Sequence, residues 1–205
     1  MKKPAPRPTV NAPHEVRIIG GLWKRTKLPV ADRPGLRPTP ARVRETLFNW
    51  LGQDLTGLRC LDAFAGTGAL GLEAASRGAA EVVLVEQDSA LLANLSRITT
   101  QLKATGVRVE RGDGVAALRQ RTGQGYDVVF LDPPFGEGQN DTLFREALVA
   151  ARAVVSTDGL LYLATGSQGE NNRPVFAVKP GASGDISLAR GEQDNAFVAW
   201  VHPRA

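Results

Sequence analysis

Cysteine, histidine and methionine are scarce: the 205 residues hold one Cys (Cys60), two His and one Met. A single cysteine excludes an intrachain disulfide framework. One Cys and two His also argue against a structural zinc site, and no metal is expected. No uninterrupted apolar run approaches membrane-spanning length, and the opening Met1-Lys2-Lys3-Pro4 lacks the apolar core of a signal peptide. A reducing, cytoplasmic setting without a membrane is the expectation. What is present is an ordinary globular balance, 42% hydrophobic and 22% charged. The length suits one domain with small additions.

Charge is unevenly spread. Residues 1–45 carry 11 Lys/Arg against 3 Asp/Glu, a net of +8, and residues 46–205 carry 14 against 18, a net of −4. A basic end on a mildly acidic body suggests a footprint for a polyanion; a merely solubilising tail is the plainer alternative.

Residues 1–14 contain four prolines and few apolar residues, which reads as a flexible basic arm. Two extended segments follow, Glu15 to Ile19 and about Trp23 to Val30, joined by Gly20-Gly21 as a β-hairpin. Residues 15–38 form a candidate hairpin and loop, and 39–205 the main domain. Thr39-Pro40 opens a helix, Thr as its cap and Pro at its first position, with Val43, Leu47, Trp50 and Leu51 inward and Arg42 and Arg44 off the apolar stripe. Strands and helices then alternate. Arg59–Ala63, Glu81–Glu86, Val107–Glu110, Tyr126–Asp132 and Gly159–Thr165 are the expected strands, and helices fill the intervals. One of these helices, from Ser89 to Thr105, points Leu92, Leu95 and Leu102 inward. Such alternation with continuous apolar strands implies an α/β fold, a mainly parallel sheet covered on both faces. Three further strands are expected after residue 174.

The loop Asp62-Ala-Phe-Ala65-Gly66-Thr67-Gly68-Ala-Leu-Gly71 follows the first of these strands and satisfies G-x-G-x-x-G, and Glu86 ends the next strand. A nucleoside site fits this context: glycines let the backbone approach a ligand, and a strand-end acid can accept from ribose hydroxyls. The pattern alone does not separate a nicotinamide dinucleotide from S-adenosylmethionine. Asp62 tilts the choice, because an acid there attracts an ammonium and repels a pyrophosphate. Asp113, after the third strand, suits an adenine amino group or a helix cap. Asp62, Ala65, Gly66, Thr67, Gly68, Glu86, Gln87 and Asp113 are the candidate cofactor residues.

Asp132-Pro133-Pro134-Phe135 follows the fourth strand at the same sheet edge. Two prolines remove two N–H donors and leave carbonyl acceptors. With the Asp132 carboxylate and the Phe135 ring, they make an acceptor-rich pocket with a stacking face. That suits a planar group with an exocyclic amine. Accepting both amine hydrogens, at Asp132 and the Pro133 carbonyl, makes the nitrogen more nucleophilic, and the carboxylate stabilises charge developing in a direct transfer.

The glycine loop with Asp-Pro-Pro-Phe resembles the class I S-adenosylmethionine-dependent amino-methyltransferases. Arg17-Ile-Ile-Gly-Gly, Leu36-Arg-Pro-Thr, Arg42-Val-Arg-Glu-Thr-Leu-Phe-Asn-Trp-Leu and Ala69-Leu-Gly-Leu-Glu-Ala narrow the likeness. They resemble the bacterial family that methylates the N2 amine of a guanine in 16S ribosomal RNA. The resemblance implies a Rossmann-like sheet ending in an antiparallel strand, and an N-terminal RNA-binding hairpin. It also implies a guanine turned out into the pocket, within the small ribosomal subunit or an assembly intermediate. Ala41 and Ala164 depart from the family pattern, which usually has an acid at each place. Phosphate contacts are expected from Arg17, Lys24, Arg25, Lys27, Arg33, Arg37, Arg42 and Arg44, and Trp23 is expected to pack on the body rather than stack on a base. A monomer is expected. The competing readings are the same chemistry on adenine N6 or a protein amide, a nicotinamide-dependent oxidoreductase, and a non-catalytic RNA-binding protein.

Overall fold

The computed structural model describes residues 15–31, 38–134 and 140–164, and the backbone of the strands at 175–179, 186–190 and 196–201. Five strands run parallel in the order β5 (Val107–Arg111), β4 (Glu81–Glu86), β3 (Arg59–Asp62), β6 (Tyr126–Leu131) and β7 (Val155–Ala164). The sheet continues through β8 (Val175–Lys179), β10 (Ala196–Val201) and β9 (Ile186–Arg190). β8 is antiparallel to β7, and the terminal strand β10 runs parallel to β8 and antiparallel to β9. The order reverses between β3 and β6, where an open α/β sheet places its ligand crevice.

Alternate residues of each central strand enter two separate cores. On β4, Val82 and Leu84 join Leu95 and Ile98 of α3 (Ser89–Gln101), whereas Val83 and Val85 join Leu118 of α4 (Gly114–Gln120) and Ala151 of α5 (Asn140–Arg152). Burial on both faces is why these strands are continuously apolar. Asp88 caps α3 by accepting from the Ala90 and Leu91 N–H groups at 2.9 and 3.0 Å. The buried stripe of α3 is Leu91, Leu95 and Ile98, with Leu102 packing behind it; Leu92, expected inside, is half-buried.

The N-terminal hairpin pairs β1 (Glu15–Arg17) with β2 (Lys27–Pro29). Its second strand is shorter than the sequence suggested, because residues 20–25 form a turn in which Arg25 takes a φ of 73°. Ile18 and Leu28 are fully buried in the same core as α1 (Ala41–Trp50) and α2 (Gly71–Ser76), and Trp23 packs against that core. The hairpin therefore shares its core with the sheet domain.

Backbone contacts dock it. The Leu22 N–H donates to the Ser76 carbonyl at 2.6 Å, and Trp23 N–H to Ser76 Oγ at 2.8 Å. This approach requires Gly21: its φ is 70°, and a Cβ there would lie 1.8 Å from the Ser76 carbonyl oxygen. Gly21→Ala is expected to cost about 2–4 kcal/mol, from the left-handed backbone and the forced separation. Urea unfolding checks this; wild-type stability would contradict the docking.

Helix α1 differs from expectation in a telling way. Its buried side chains are Arg44, Leu47 and Phe48, while Trp50 is 41% exposed. The inward stripe is rotated so that Arg44 occupies a core position, 1% exposed, because Glu73 of α2 supplies a buried counter-charge at 3.5 Å. Burial pushes the Arg44 guanidinium below its ordinary range, opposed chiefly by Glu73. Among the described residues, no helix is long and apolar enough to cross a membrane.

Candidate active site

One cavity of about 260 Å³ opens at the carboxyl ends of β3, β4 and β6. Its lining includes Asp62 to Thr67 and Asp132 to Pro134, so a single space joins the glycine bend to the Asp-Pro-Pro segment. Register explains the closeness. Asp62 pairs with Phe130, two residues before Asp132, on strands that are hydrogen-bonded neighbours. The sequence separation of 70 residues collapses because the chain returns to β3 after visiting β4 and β5.

The glycines divide their work. Gly66, with a φ of 54°, lines the cavity and turns the chain away from β3. Gly68 does not line it: a Cβ there would meet Leu95 Cδ2 at 2.7 Å, so its role is to let the loop lie on α3. Gly71 likewise packs α2 on the sheet, since its Cβ would sit 2.2 Å from Leu84 Cδ2.

Glu86 is nearly buried and held by two backbone donors, Gly66 N–H on Oε2 at 2.8 Å and Asp88 N–H on Oε1 at 2.8 Å. Each carboxylate oxygen keeps a second lone pair, so an oriented Glu86 can still accept from a ribose hydroxyl. Ala65, Thr67, Gln87 and Asp113 also line the cavity. Asp113 caps α4, accepting from Ala116 N–H at 2.8 Å, so both roles considered for it are compatible.

Asp62 is fully buried. Gly71 N–H donates to its Oδ2 at 3.0 Å, while Oδ1 has no hydrogen-bond partner among the described residues. Burial raises the Asp62 carboxyl to about 7, with smaller upward pushes from Asp132 and Glu86. A buried, half-satisfied carboxyl at the cavity wall is poised for a cationic donor. The rest of the lining agrees: Asp62, Glu86, Asp88, Asp113 and Asp132 are five acids, and among the described residues no Lys, Arg or His lines the space. Such a wall attracts a ligand bearing ammonium and sulfonium charge and opposes a pyrophosphate.

Asp132 is half-buried, Pro133 buried and Pro134 exposed, and Phe135 lies outside the described residues. Thr39 was read as the cap of α1, but the helix takes Pro40 as its N-cap with no side-chain bond. The Thr39 hydroxyl instead donates to Asp132 Oδ2 at 2.6 Å. Nothing in the local pattern signals this, since the two residues are 93 apart. Asp88 and Glu73 were also missed as functional neighbours. The acid opening a helix at Asp88 was a detectable signal; Glu73 had none beyond its place in a glycine-initiated helix.

Of the basic residues expected to meet RNA, Lys24, Arg25, Lys27, Arg17 and Arg42 are exposed. Arg17 and Lys27 both pair with Glu15, at 3.1 and 3.0 Å. Arg33 and Arg37 lie outside the described residues. Arg44 is corrected: it is buried against Glu73 and cannot reach a phosphate from there. Cys60 is a buried thiol in the core, and burial pushes its ionisation upward.

Comparison with known proteins gives concordant likenesses. The family described as "Conserved hypothetical protein 95" matches residues 16–179. The chain is 43% identical over 169 residues to Ribosomal RNA small subunit methyltransferase D of Escherichia coli strain K12, covering 82% of this chain and 83% of that one. It is 32% identical over 180 residues to the Putative rRNA methyltransferase YlbH of Bacillus subtilis strain 168, covering 86% and 92%. Among solved structures, a putative methyltransferase, yhhF, from Escherichia coli superposes with a TM-score of 0.68 at 37% identity, covering 90% of this chain and 94% of the other.

Proposed function

Since the chain belongs to the family of small-subunit ribosomal RNA methyltransferase D, we propose that it methylates the N2 amine of a guanine in 16S ribosomal RNA, with S-adenosylmethionine as donor. The observation that carries this reading is the shared cavity: an acid-walled glycine bend and the Asp132-Pro133 acceptors face one space. The motif resemblance supports guanine as the base. An acceptor pocket for an amine also suits adenine N6 or a protein amide.

The donor fits the residues present. Asp62 would face its ammonium, Glu86 its ribose, and Asp113 its adenine. When bound, the donor supplies an electrophilic methyl group. The chain supplies the rest. Asp132 and the Pro133 carbonyl accept the two amine hydrogens, which holds the nitrogen lone pair out of conjugation with the ring. The carboxylate then stabilises the positive charge developing on that nitrogen. Phe135 is assigned the stacking face that fixes the base plane. Lys24, Arg25, Arg17, Lys27 and Arg42 are assigned phosphate contacts, each adding about 0.7–0.9 to the salt slope of binding.

Asp62 gives the donor site a pH signature. Burial raises its carboxyl to about 7 in the free protein, and an ammonium beside it favours the charged form. Binding below pH 7 therefore expels a proton. Apparent affinity for S-adenosylhomocysteine, which keeps the ammonium, is expected to rise about 15-fold between pH 5.5 and 7. Calorimetry in buffers of different ionisation enthalpy reads both effects. Asp62→Asn should flatten the profile; a flat wild-type profile would contradict the assignment.

The reaction itself is tested by incubating the protein with methyl-labelled S-adenosylmethionine and small subunits from cells lacking this enzyme. Label in N2-methylguanosine after nucleoside digestion is expected. Label in N6-methyladenosine, or only in protein, would replace the guanine assignment. A thermal-shift comparison addresses the oxidoreductase reading: S-adenosylmethionine in excess should raise the melting temperature, and NAD(H) should not.

A further inference from the structure

Three hydrogen bonds trace a continuous path from the hairpin to the proposed amine acceptor. Arg44 Nη1 donates to the carbonyl of Arg17, the last residue of β1, at 2.9 Å. The same guanidinium donates from Nε to the carbonyl of Thr39 at 3.2 Å. The Thr39 hydroxyl donates to Asp132 Oδ2 at 2.6 Å. Glu73, paired with Arg44 at 3.5 Å, accepts from the Ile19 and Gly20 N–H groups of the hairpin. Thr39 is 3% exposed, and it and Pro38 line the cavity with Asp132.

We propose that Thr39 is a positioning residue for methyl transfer, its hydroxyl fixing the carboxylate of Asp132 while the buried Arg44 fixes Thr39 to the hairpin. The inference rests on the reading of Asp132 as amine acceptor. An aspartate's terminal torsion is broad and roughly two-fold, so each bond to its carboxylate narrows the planes it samples. A short bond to one oxygen selects one plane and leaves the other oxygen to face an amine hydrogen. The bond reaches Asp132 from a segment outside the βα repeat. Its anchor, Arg44, is one hydrogen bond from the strand that carries Arg17. Docking of the hairpin and alignment of the acceptor are thereby parts of one network.

The test compares Thr39→Val, Thr39→Ser, Asp132→Ala and the Thr39→Val/Asp132→Ala double variant. Single-turnover methylation of small subunits and calorimetric affinity for S-adenosylhomocysteine are measured for each. Thr39→Val is expected to lose about 10-fold in single-turnover rate, within the range for one misplaced catalytic group, with nucleoside affinity unchanged. Thr39→Ser keeps the hydroxyl and should stay within about threefold of wild type. In the Asp132→Ala background, Thr39→Val should cost nothing further, because a residue acting through Asp132 has nothing left to position. A wild-type rate in Thr39→Val while Asp132→Ala is disabled would overturn this inference alone, as would losses that multiply in the double variant. A wild-type rate in Asp132→Ala would overturn the acceptor reading on which it rests.

Discussion

Asp132→Ala is expected to bind S-adenosylhomocysteine as the wild type does and to transfer methyl at least ~100-fold more slowly. The two halves of that expectation come from different residues. Donor binding is assigned to the bend after β3 and to Glu86, which is held by Gly66 and Asp88 without help from Asp132. Transfer rests on the far side of the same cavity, where the carboxylate meets charge that develops only as the new bond forms. Removing one such preorganised group typically costs 10²–10³ in rate. The substitution also relieves Asp62 of a neighbouring negative charge, one of the causes raising its carboxyl. Nucleoside affinity should thus hold or improve slightly near neutral pH. Equal turnover in wild type and variant would remove Asp132 from the chemistry. Loss of nucleoside affinity alongside turnover would instead make it part of the donor site.

The second large effect concerns stability. Glu73 is fully buried and serves four groups: the Ile19 and Gly20 N–H donors at 2.7 and 2.8 Å, Arg77 Nε at 2.9 Å, and Arg44. Glu73→Ala leaves two guanidiniums, 1% and 7% exposed, without their counter-charge, and two hairpin N–H groups unsatisfied. Breaking a buried ion pair in this way costs about 3–5 kcal/mol. For a chain of this size that is a melting-temperature fall of roughly 6–20 °C. The hairpin, freed from α2, should also expose Ile18 and Leu28, so binding of a hydrophobic dye ought to rise. A fall of only a degree or two would mean that the network contributes orientation rather than stability. Replacing all three charged partners by apolar residues of similar volume is the informative companion, since buried ionic clusters are often matched or exceeded by packed hydrophobes.

Much of this architecture is written locally. The Val-Val-Leu-Val run of β4, the Ser89 start of α3 and the glycine turn after β3 are short-range signals, and each lies where the pattern placed it. The meeting of the glycine bend and the Asp-Pro-Pro segment at one sheet edge was legible, because each is a strand end followed by residues of restricted backbone. What stayed hidden depended on partners far along the chain. Arg44 sits in the core only because Glu73 arrives 29 residues later, and helical spacing alone places a guanidinium outside. The Thr39 hydroxyl has a nearer use as a helix cap, and tertiary geometry overrides it with Asp132. The hairpin reads as an appendage by its charge, yet its two inward residues complete the core beneath α1 and α2. Gly68 matched a ligand-binding pattern while serving helix packing, since the same absence of a side chain suits both.

The central claim is that the adjoining tips of β3 and β6 hold the donor and the amine in one space. Crystals grown with S-adenosylhomocysteine test it most directly. The account predicts density in the cavity, with the ribose at Glu86, the ammonium at Asp62 and the sulfur turned toward Asp132. Nucleoside density elsewhere on the molecule, or a sulfur directed away from Asp132, would contradict it.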